Sequence, residues 1–386
     1  MDPVTRLIHA GEPPANPVRT VGPAIQRGST VLLADSRDLY GDEINYGRTG
    51  LSAQSTLKSA LEDLEGATAV ELYPSGLAAL TGAMLAVLKA GDHVLLTDGA
   101  YKPTRAFCQT ALERFGVCLQ IYSPDLSAEG IIALARPETR LIVLESPSSL
   151  TFEVQDVAAI AAAARARGIL TLIDNTWAAG LLFKPLDQGV DISVQALTKY
   201  ACGHSDVFMG SAATTSPAVA DQLGAGVREL GWAVSGAEAY DILRGLRTLA
   251  VRLARHDSSA RILAHWLTQQ PQVLKVLHPA LPDAPGHALW ARDYSGACGL
   301  FGLVLRPAPE AAEHALLNSL KLFGLGFSWG GFESLALRSD PQLLVRSFPP
   351  RLGGPLFRLH VGLEDPADLI ADLQGALAIY DQTAAA

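Results

Sequence analysis

The stretch Asp191-Ile-Ser-Val-Gln-Ala-Leu-Thr-Lys-Tyr-Ala-Cys-Gly-His-Ser-Asp206 decides how this chain is read. A short apolar strand, Asp191–Ala196, runs straight into Thr198 and Lys199, with Gly203 soon after. Twenty-five residues before Lys199, a second apolar run, Ile169–Ile173, ends on Asp174 in Asp174-Asn-Thr-Trp177. A lysine and an aspartate, each just past a strand, are the two protein groups that pyridoxal phosphate (PLP) chemistry needs, one for the aldehyde and one for the ring nitrogen. Alone, each has a plainer reading: Lys199 as a solvated surface charge with an ordinary pKa of about 10.4, Asp174 as a strand-ending cap.

Outward from that stretch, β-type runs alternate with helical patterns. The strands expected are Ala69–Tyr73, His93–Thr97, Val117–Tyr122, Arg140–Glu145, Ile169–Asp174 and Asp191–Ala196. Helices are expected at Leu77–Lys89 and Val157–Arg167, the latter capped by Asp156. Continuous apolar strands separated by helices predict an α/β fold whose sheet is mostly parallel and covered on both faces. Further on, a long helix around Arg247–Gln269, strands at Gly299–Leu305 and Leu356–Val361 and a helix at Pro309–Leu320 predict a smaller C-terminal α+β domain. Residues 1–50 carry many breakers, including Pro13, Pro14, Pro17 and Gly22, and read as an extended arm; Ala384–Ala386 reads as a frayed tail. The parts are therefore an arm over 1–50, a cofactor-binding domain over 51–247 and a C-terminal domain over 248–386.

Composition narrows the function. The 386 residues, 49% hydrophobic, are enough for two domains with a sizeable core. A net charge of -9 argues against a broad basic face for nucleic acid or anionic lipid. Cys108, Cys118, Cys202 and Cys298 form no CxxC pair, and no cluster has metal-ligand spacing, so reduced thiols, no metal and a cytoplasmic location are expected. No run approaches a membrane span of ~20 apolar residues.

Three signals fall at the C-terminal edge of the predicted parallel sheet, where such sheets open a ligand crevice: Asp174, Ser75-Gly76 and Lys199. Gly76 and Leu77 follow a strand and open a helix, so their N–H groups suit a phosphate, although a tight strand-to-helix turn needs the same residues. His204 reads as a structural hydrogen-bonding residue.

Tyr46-Gly-Arg48, Tyr73-Pro-Ser-Gly76, Glu145-Ser-Pro147, Ile173-Asp-Asn-Thr-Trp177, Thr198-Lys-Tyr-x-x-Gly-His-Ser-Asp206, Arg244-Gly-Leu-Arg-Thr248 and Ser328-Trp-Gly-Gly-x-Glu-Ser334 occur in that order. Together they resemble the Cys/Met-metabolism PLP-dependent enzymes over nearly the whole chain. The resemblance implies a PLP-dependent transferase fold of the aspartate-aminotransferase type and a homotetramer built from active dimers. It implies that Lys199 is joined to the cofactor, that Asp174 holds the pyridine nitrogen and that Tyr101 stacks on the ring. Gly76, Leu77 and Thr198 would hold the phosphate, with Tyr46 and Arg48 reaching in from a neighbouring subunit. Arg358 would clamp the substrate α-carboxylate, and Ser328 and Trp329 would line the substrate side. Lys199 and Tyr101 are the catalytic candidates. Ala196 stands where many relatives place a serine, which leaves Thr198 as the phosphate hydroxyl, and Leu197 replaces a small residue.

Within that family, Ser328-Trp-Gly-Gly, Glu145-Ser-Pro-Ser-Ser and the absence of a His-Pro stretch after Ser334 resemble the branch that breaks the Cβ–S bond of cystathionine in methionine biosynthesis. Other S-conjugates of cysteine, γ-cleavage or γ-replacement, and a non-catalytic PLP-binding role are the alternatives. The expected partner is a small thioether amino acid.

Overall fold

The computed structural model describes residues 2–9, 20–41 and 44–385. Pro13, Pro14 and Pro17, on which the arm reading partly rests, lie outside them. Among the described residues twelve strands occur in chain order: β1 (Ala69–Tyr73), β2 (His93–Thr97), β3 (Cys118–Tyr122), β4 (Thr139–Glu145), β5 (Leu170–Asp174), β6 (Ile192–Ala196), β7 (Gly210–Thr214), β8 (Val273–Leu277), β9 (Leu300–Leu305), β10 (Gly324–Leu325), β11 (Leu335–Arg338) and β12 (Leu356–His360).

The first sheet has the order β1-β7-β6-β5-β4-β2-β3, parallel except that β7 runs against both β1 and β6. Alternation along its strands fills two cores at once. Val94, Leu96, Leu141, Val143, Leu172 and Val194 join Leu80, Ala83 and Met84 of the helix Gly76–Val87 on one face. Leu95, Ile142, Leu144 and Ile173 face the other way, onto Ile160 and Ala164 of the helix Val157–Arg165. Burying each Leu or Ile contributes roughly 1.5–3 kcal/mol, and two apolar faces per strand are what a helix-covered parallel sheet requires. Asp156 caps its helix as expected, its side chain accepting from Ala159 N at 3.2 Å.

The second sheet has the order β10-β11-β12-β9-β8 and packs against the helices Leu249–Thr268, Glu310–Ser319 and Pro366–Ala384 around Leu263, Phe301, Leu316, Phe357, Leu373 and Tyr380. Leu249, Leu253, Trp290 and Tyr294 belong instead to the core of the first sheet, so the two halves share side chains across residue 248.

The expected strands of the first sheet are present within a residue or two, and the sheet is mostly parallel as read. Two expectations need correcting. Pro3–His9 is a helix, because Leu7, 3% exposed, packs onto the helix Ser52–Glu65. The last helix extends to Ala384, into the stretch read as a frayed tail, and Ala386 lies outside the described residues.

Candidate active site

The parallel strands end together, and their ends carry the reactive groups. After β6 the backbone coils at once: Lys199 N donates to Ala196 O at 3.0 Å and Gly203 N to Lys199 O at 2.8 Å. Beneath this turn lies Arg252, buried, its guanidinium donating to Tyr200 O at 2.8 Å and Gly245 O at 2.7 Å. A Cβ at Gly203, which has φ +75°, would fall 2.2 Å from that guanidinium, so the position has room only for glycine. The turn points Lys199 Nζ at Ser328 Oγ, 2.6 Å away, and sets it 5.4 Å from the centre of the Trp329 ring. Burial, with help from the Arg358 charge and against the pull of Asp174, pushes the Lys199 amine down to about 8. Its uncharged, nucleophilic form is therefore far more populated near neutral pH than that of a surface lysine.

Asp174 ends β5 with two hydrogen bonds to one oxygen, from Thr176 N at 3.0 Å and from Thr176 Oγ1. The Thr176 hydroxyl also accepts from Ala196 N at 2.9 Å, tying the end of β5 to the strand that carries Lys199. Burial raises the Asp174 pKa, while Thr176 and the Lys199 charge oppose the rise. Glu145 is the register partner of Asp174 on β4, and its Oε2 accepts from Tyr101 N at 2.7 Å. Burial first and the Asp174 charge second push the Glu145 carboxyl well above the usual carboxylate range. Tyr101 caps the helix Lys102–Phe107, its side chain half exposed. Burial and the two carboxylates raise its phenol pKa, so it is a proton donor at neutral pH.

The phosphate candidates form a tight cradle. Ser75 caps the helix Gly76–Val87, accepting from Ala78 N at 3.1 Å, and the first-turn N–H groups of Gly76 and Leu77 have no intrahelical partner. A Cβ on Gly76 would sit 2.3 Å from Ala196 Cβ, and one on Gly210 2.4 Å from Ser75 O. Thr198 Oγ1 accepts from Met209 N at 3.0 Å and donates to Met209 O at 3.3 Å. Leu197 turns away into the core. Tyr46 and Arg48 stand apart, lining a cavity of about 360 Å³ with Lys58, Glu71, Arg228 and Trp232 of their own chain. His204 holds its own loop through Cys202 O at 2.7 Å, the structural part read for it.

Arg358 comes from the second sheet. It is 8% exposed and donates to Ser328 O at 2.7 Å, but its Nε has no hydrogen-bond partner. No carboxylate pairs with it among the described residues, and burial lowers its pKa to about 10. Ser328 adopts φ +80°, a conformation costing of order 1–3 kcal/mol in a residue with a side chain.

Of the residues read from sequence, Lys199, Asp174, Tyr101, Arg358, Ser328 and Trp329 thus meet in one place, while Tyr46 and Arg48 do not join them within the chain. Glu145, Thr176 and Arg252 are additional; Glu145 and Thr176 stood within quoted motifs without a role read for them, and nothing local marked Arg252. The set fits PLP: an amine of lowered pKa, a buried carboxylate, a cradle of small residues at a helix start and a buried guanidinium with an unused donor.

The chain is similar over nearly its whole length to proteins of known sequence and structure. Cystathionine β-lyase MetC of Escherichia coli is 41% identical over 387 residues, covering 97% of this chain and 98% of that protein. Cystathionine β-lyase of Salmonella typhimurium is 40% identical over 387 residues, with the same 97% and 98% coverage. The crystal structure of cystathionine γ-lyase from Lactobacillus plantarum complexed with L-serine superimposes with a TM-score of 0.91 at 29% identity, covering 99% of this chain and 100% of that one. Among the described residues no helix is long and apolar enough to cross a membrane. The family model described as Cys/Met metabolism PLP-dependent enzyme matches residues 4–378, nearly the whole chain, and this chain belongs to that family.

Proposed function

We propose that the protein is a PLP-dependent carbon–sulfur lyase that cleaves the Cβ–S bond of cystathionine, releasing homocysteine, pyruvate and ammonia. The observation that carries the reading is the Lys199 amine, softened by burial and placed within hydrogen-bond reach of Ser328, which Arg358 also grips.

Bound PLP supplies an aldehyde that captures the substrate amine and a ring that accepts the electron pair left at Cα. Asp174 holds the ring nitrogen, Tyr101 covers the ring, and Gly76, Leu77 and Thr198 hold the phosphate, with Thr198 turning its proton away from Met209 O. Arg358 takes the substrate carboxylate, giving its buried charge the partner it lacks. Ser328 and Trp329 line the same side. Lys199 removes the proton from substrate Cα, and Lys199 or Tyr101, protonated at neutral pH, gives a proton to the departing sulfur. Hydrolysis of the remaining three-carbon fragment yields pyruvate and ammonia.

The chain divides into an arm over 1–50, a cofactor-binding domain over 51–247 and a C-terminal domain over 248–386. It works in the cytoplasm as a homotetramer of active dimers, Tyr46 and Arg48 completing a neighbour's phosphate site. Support comes from the arm, where Val21, Leu32 and Tyr40 are 77, 93 and 97% exposed, an apolar surface that a second copy would cover.

A γ-cleaving activity is the second reading, favoured by the match to the γ-lyase fold. Incubating the loaded enzyme with cystathionine and identifying the keto acid separates the two: pyruvate supports β-cleavage, and 2-oxobutyrate overturns it.

A further inference from the structure

We infer that His360 is a positioning residue for the reaction: it fixes the Ser328–Gly331 loop so that Arg358 and Lys199 can leave it for the substrate. The inference rests on the reading of Arg358 as the carboxylate anchor.

His360 lies on β12 two residues beyond Arg358, so both side chains leave the same face of the strand. It is fully buried. Gly330 N donates to its Nε2 at 3.1 Å, and Gly331 O lies 3.2 Å from the same atom. Its Nδ1 is buried with no hydrogen-bond partner among the described residues. Leaving such an atom unpaired costs about 1–3 kcal/mol, which an apolar side chain of similar size would avoid. The imidazole therefore serves its Nε2 contact and not packing alone. Burial holds the ring uncharged, as an acceptor at Nε2 must be.

What it holds is strained. Ser328 has φ +80°, strained for a residue with a side chain, whereas Gly330 at φ +89° is in a conformation open to glycine, and a Cβ on Gly330 would lie 2.8 Å from Tyr200 N and 2.9 Å from Lys199 C. The loop is thus pressed against the backbone of the reactive lysine. Ser328 itself is tied down by Lys199 Nζ on its hydroxyl and by Arg358 on its carbonyl. Both ties use groups that the reaction needs elsewhere: the amine acts at substrate Cα, and the guanidinium turns to the carboxylate. The Gly330–His360 bond is the neighbouring tie that uses neither. It keeps the strained loop in place while the other two are released.

The test uses the PLP-loaded enzyme and four variants, with glycine as a probe for α-carboxylate binding. Glycine affinity is followed by the change in cofactor absorbance, beside KM and kcat for cystathionine. His360→Leu should load PLP to the wild-type stoichiometry yet weaken glycine binding and raise KM by about tenfold, the size of one hydrogen bond, with a smaller change in kcat. His360→Gln, which places an acceptor near the position of Nε2, should restore both to within about threefold, while the shorter His360→Asn should not. Unchanged glycine affinity and KM in His360→Leu, or a glutamine variant no better than leucine, would overturn the inference. If the leucine variant does not fold, the Asn and Gln variants decide, equal behaviour of the two counting against it. Arg358→Met separates the two layers. If it weakens glycine binding and His360→Leu does not, the inference fails alone; if it leaves glycine binding unchanged, the anchor reading fails and takes the inference with it.

Discussion

Replacing Arg358 by methionine should harm the enzyme while leaving the ligand-free protein as stable or more so. The guanidinium is 8% exposed, has no carboxylate partner among the described residues and is lowered from 12.5 to about 10 by burial. At 1.36 kcal/mol per unit, burial of the charge costs the folded state ~3 kcal/mol. The sign follows from a depressed base: the cost is fully present below the folded pKa and is relieved only as pH rises above about 10. Against it stands the hydrogen bond to Ser328 O, a charged donor contributing about 1.5–3 kcal/mol. Methionine fills much of the volume and removes both terms, so the net change should lie within about 0 to 2 kcal/mol in favour of the variant. Substrate tells the opposite story. Truncating one partner of a buried ion pair costs roughly 2–5 kcal/mol, a rise in KM of about 30-fold or more. Urea unfolding of the cofactor-free proteins at neutral pH, beside steady-state kinetics of the loaded ones, measures both. A variant destabilised by about 3 kcal/mol with an unchanged KM would refute the reasoning, because Arg358 would then be a structural charge.

Two further outcomes follow from the site. Recombination of cofactor-free enzyme with PLP should accelerate with pH about a midpoint near 8, where the buried Lys199 amine loses its proton; a stopped-flow pH series giving a midpoint near that of a surface lysine, about 10.4, would contradict its lowered basicity. Mixed oligomers of Arg48→Ala and Lys199→Ala subunits should regain part of the lost activity, since one site in such a hybrid is intact if Arg48 serves its neighbour; verified hybrids without activity would assign Arg48 to its own chain.

The ends of the parallel strands were legible because apolar runs stop abruptly there on polar residues: Asp174 after Leu170–Ile173, Lys199 after Ile192–Ala196. β7 was not. Its Gly-Ser-Ala-Ala-Thr has no apolar run, because Gly210 crosses Ser75 O so closely that a Cβ would lie 2.4 Å away. The small residues that permit this crossing erase the strand signal. Arg358 could be read from the oddity of a charge within the apolar Leu356–His360. Glu145 and Thr176 stood in quoted motifs with no role attached, and only the register that pairs Glu145 with Asp174 and the bond from Ala196 N to Thr176 reveal their part. His360 and Arg252 depend on partners 30 and 52 residues away, beyond any local pattern. The helix Pro3–His9 was hidden for the same reason, since it is ordered by burying Leu7 on a distant helix.

Lys199 is the residue on which every other role at the site depends. Reducing the loaded enzyme with borohydride, digesting it and mapping the phosphopyridoxyl peptide identifies the lysine that holds the cofactor. The label is expected on Lys199 within Thr198-Lys-Tyr200 and nowhere else, and Lys199→Ala should bind PLP without becoming labelled or turning over substrate. A label on any other lysine would contradict the site and every role built around it.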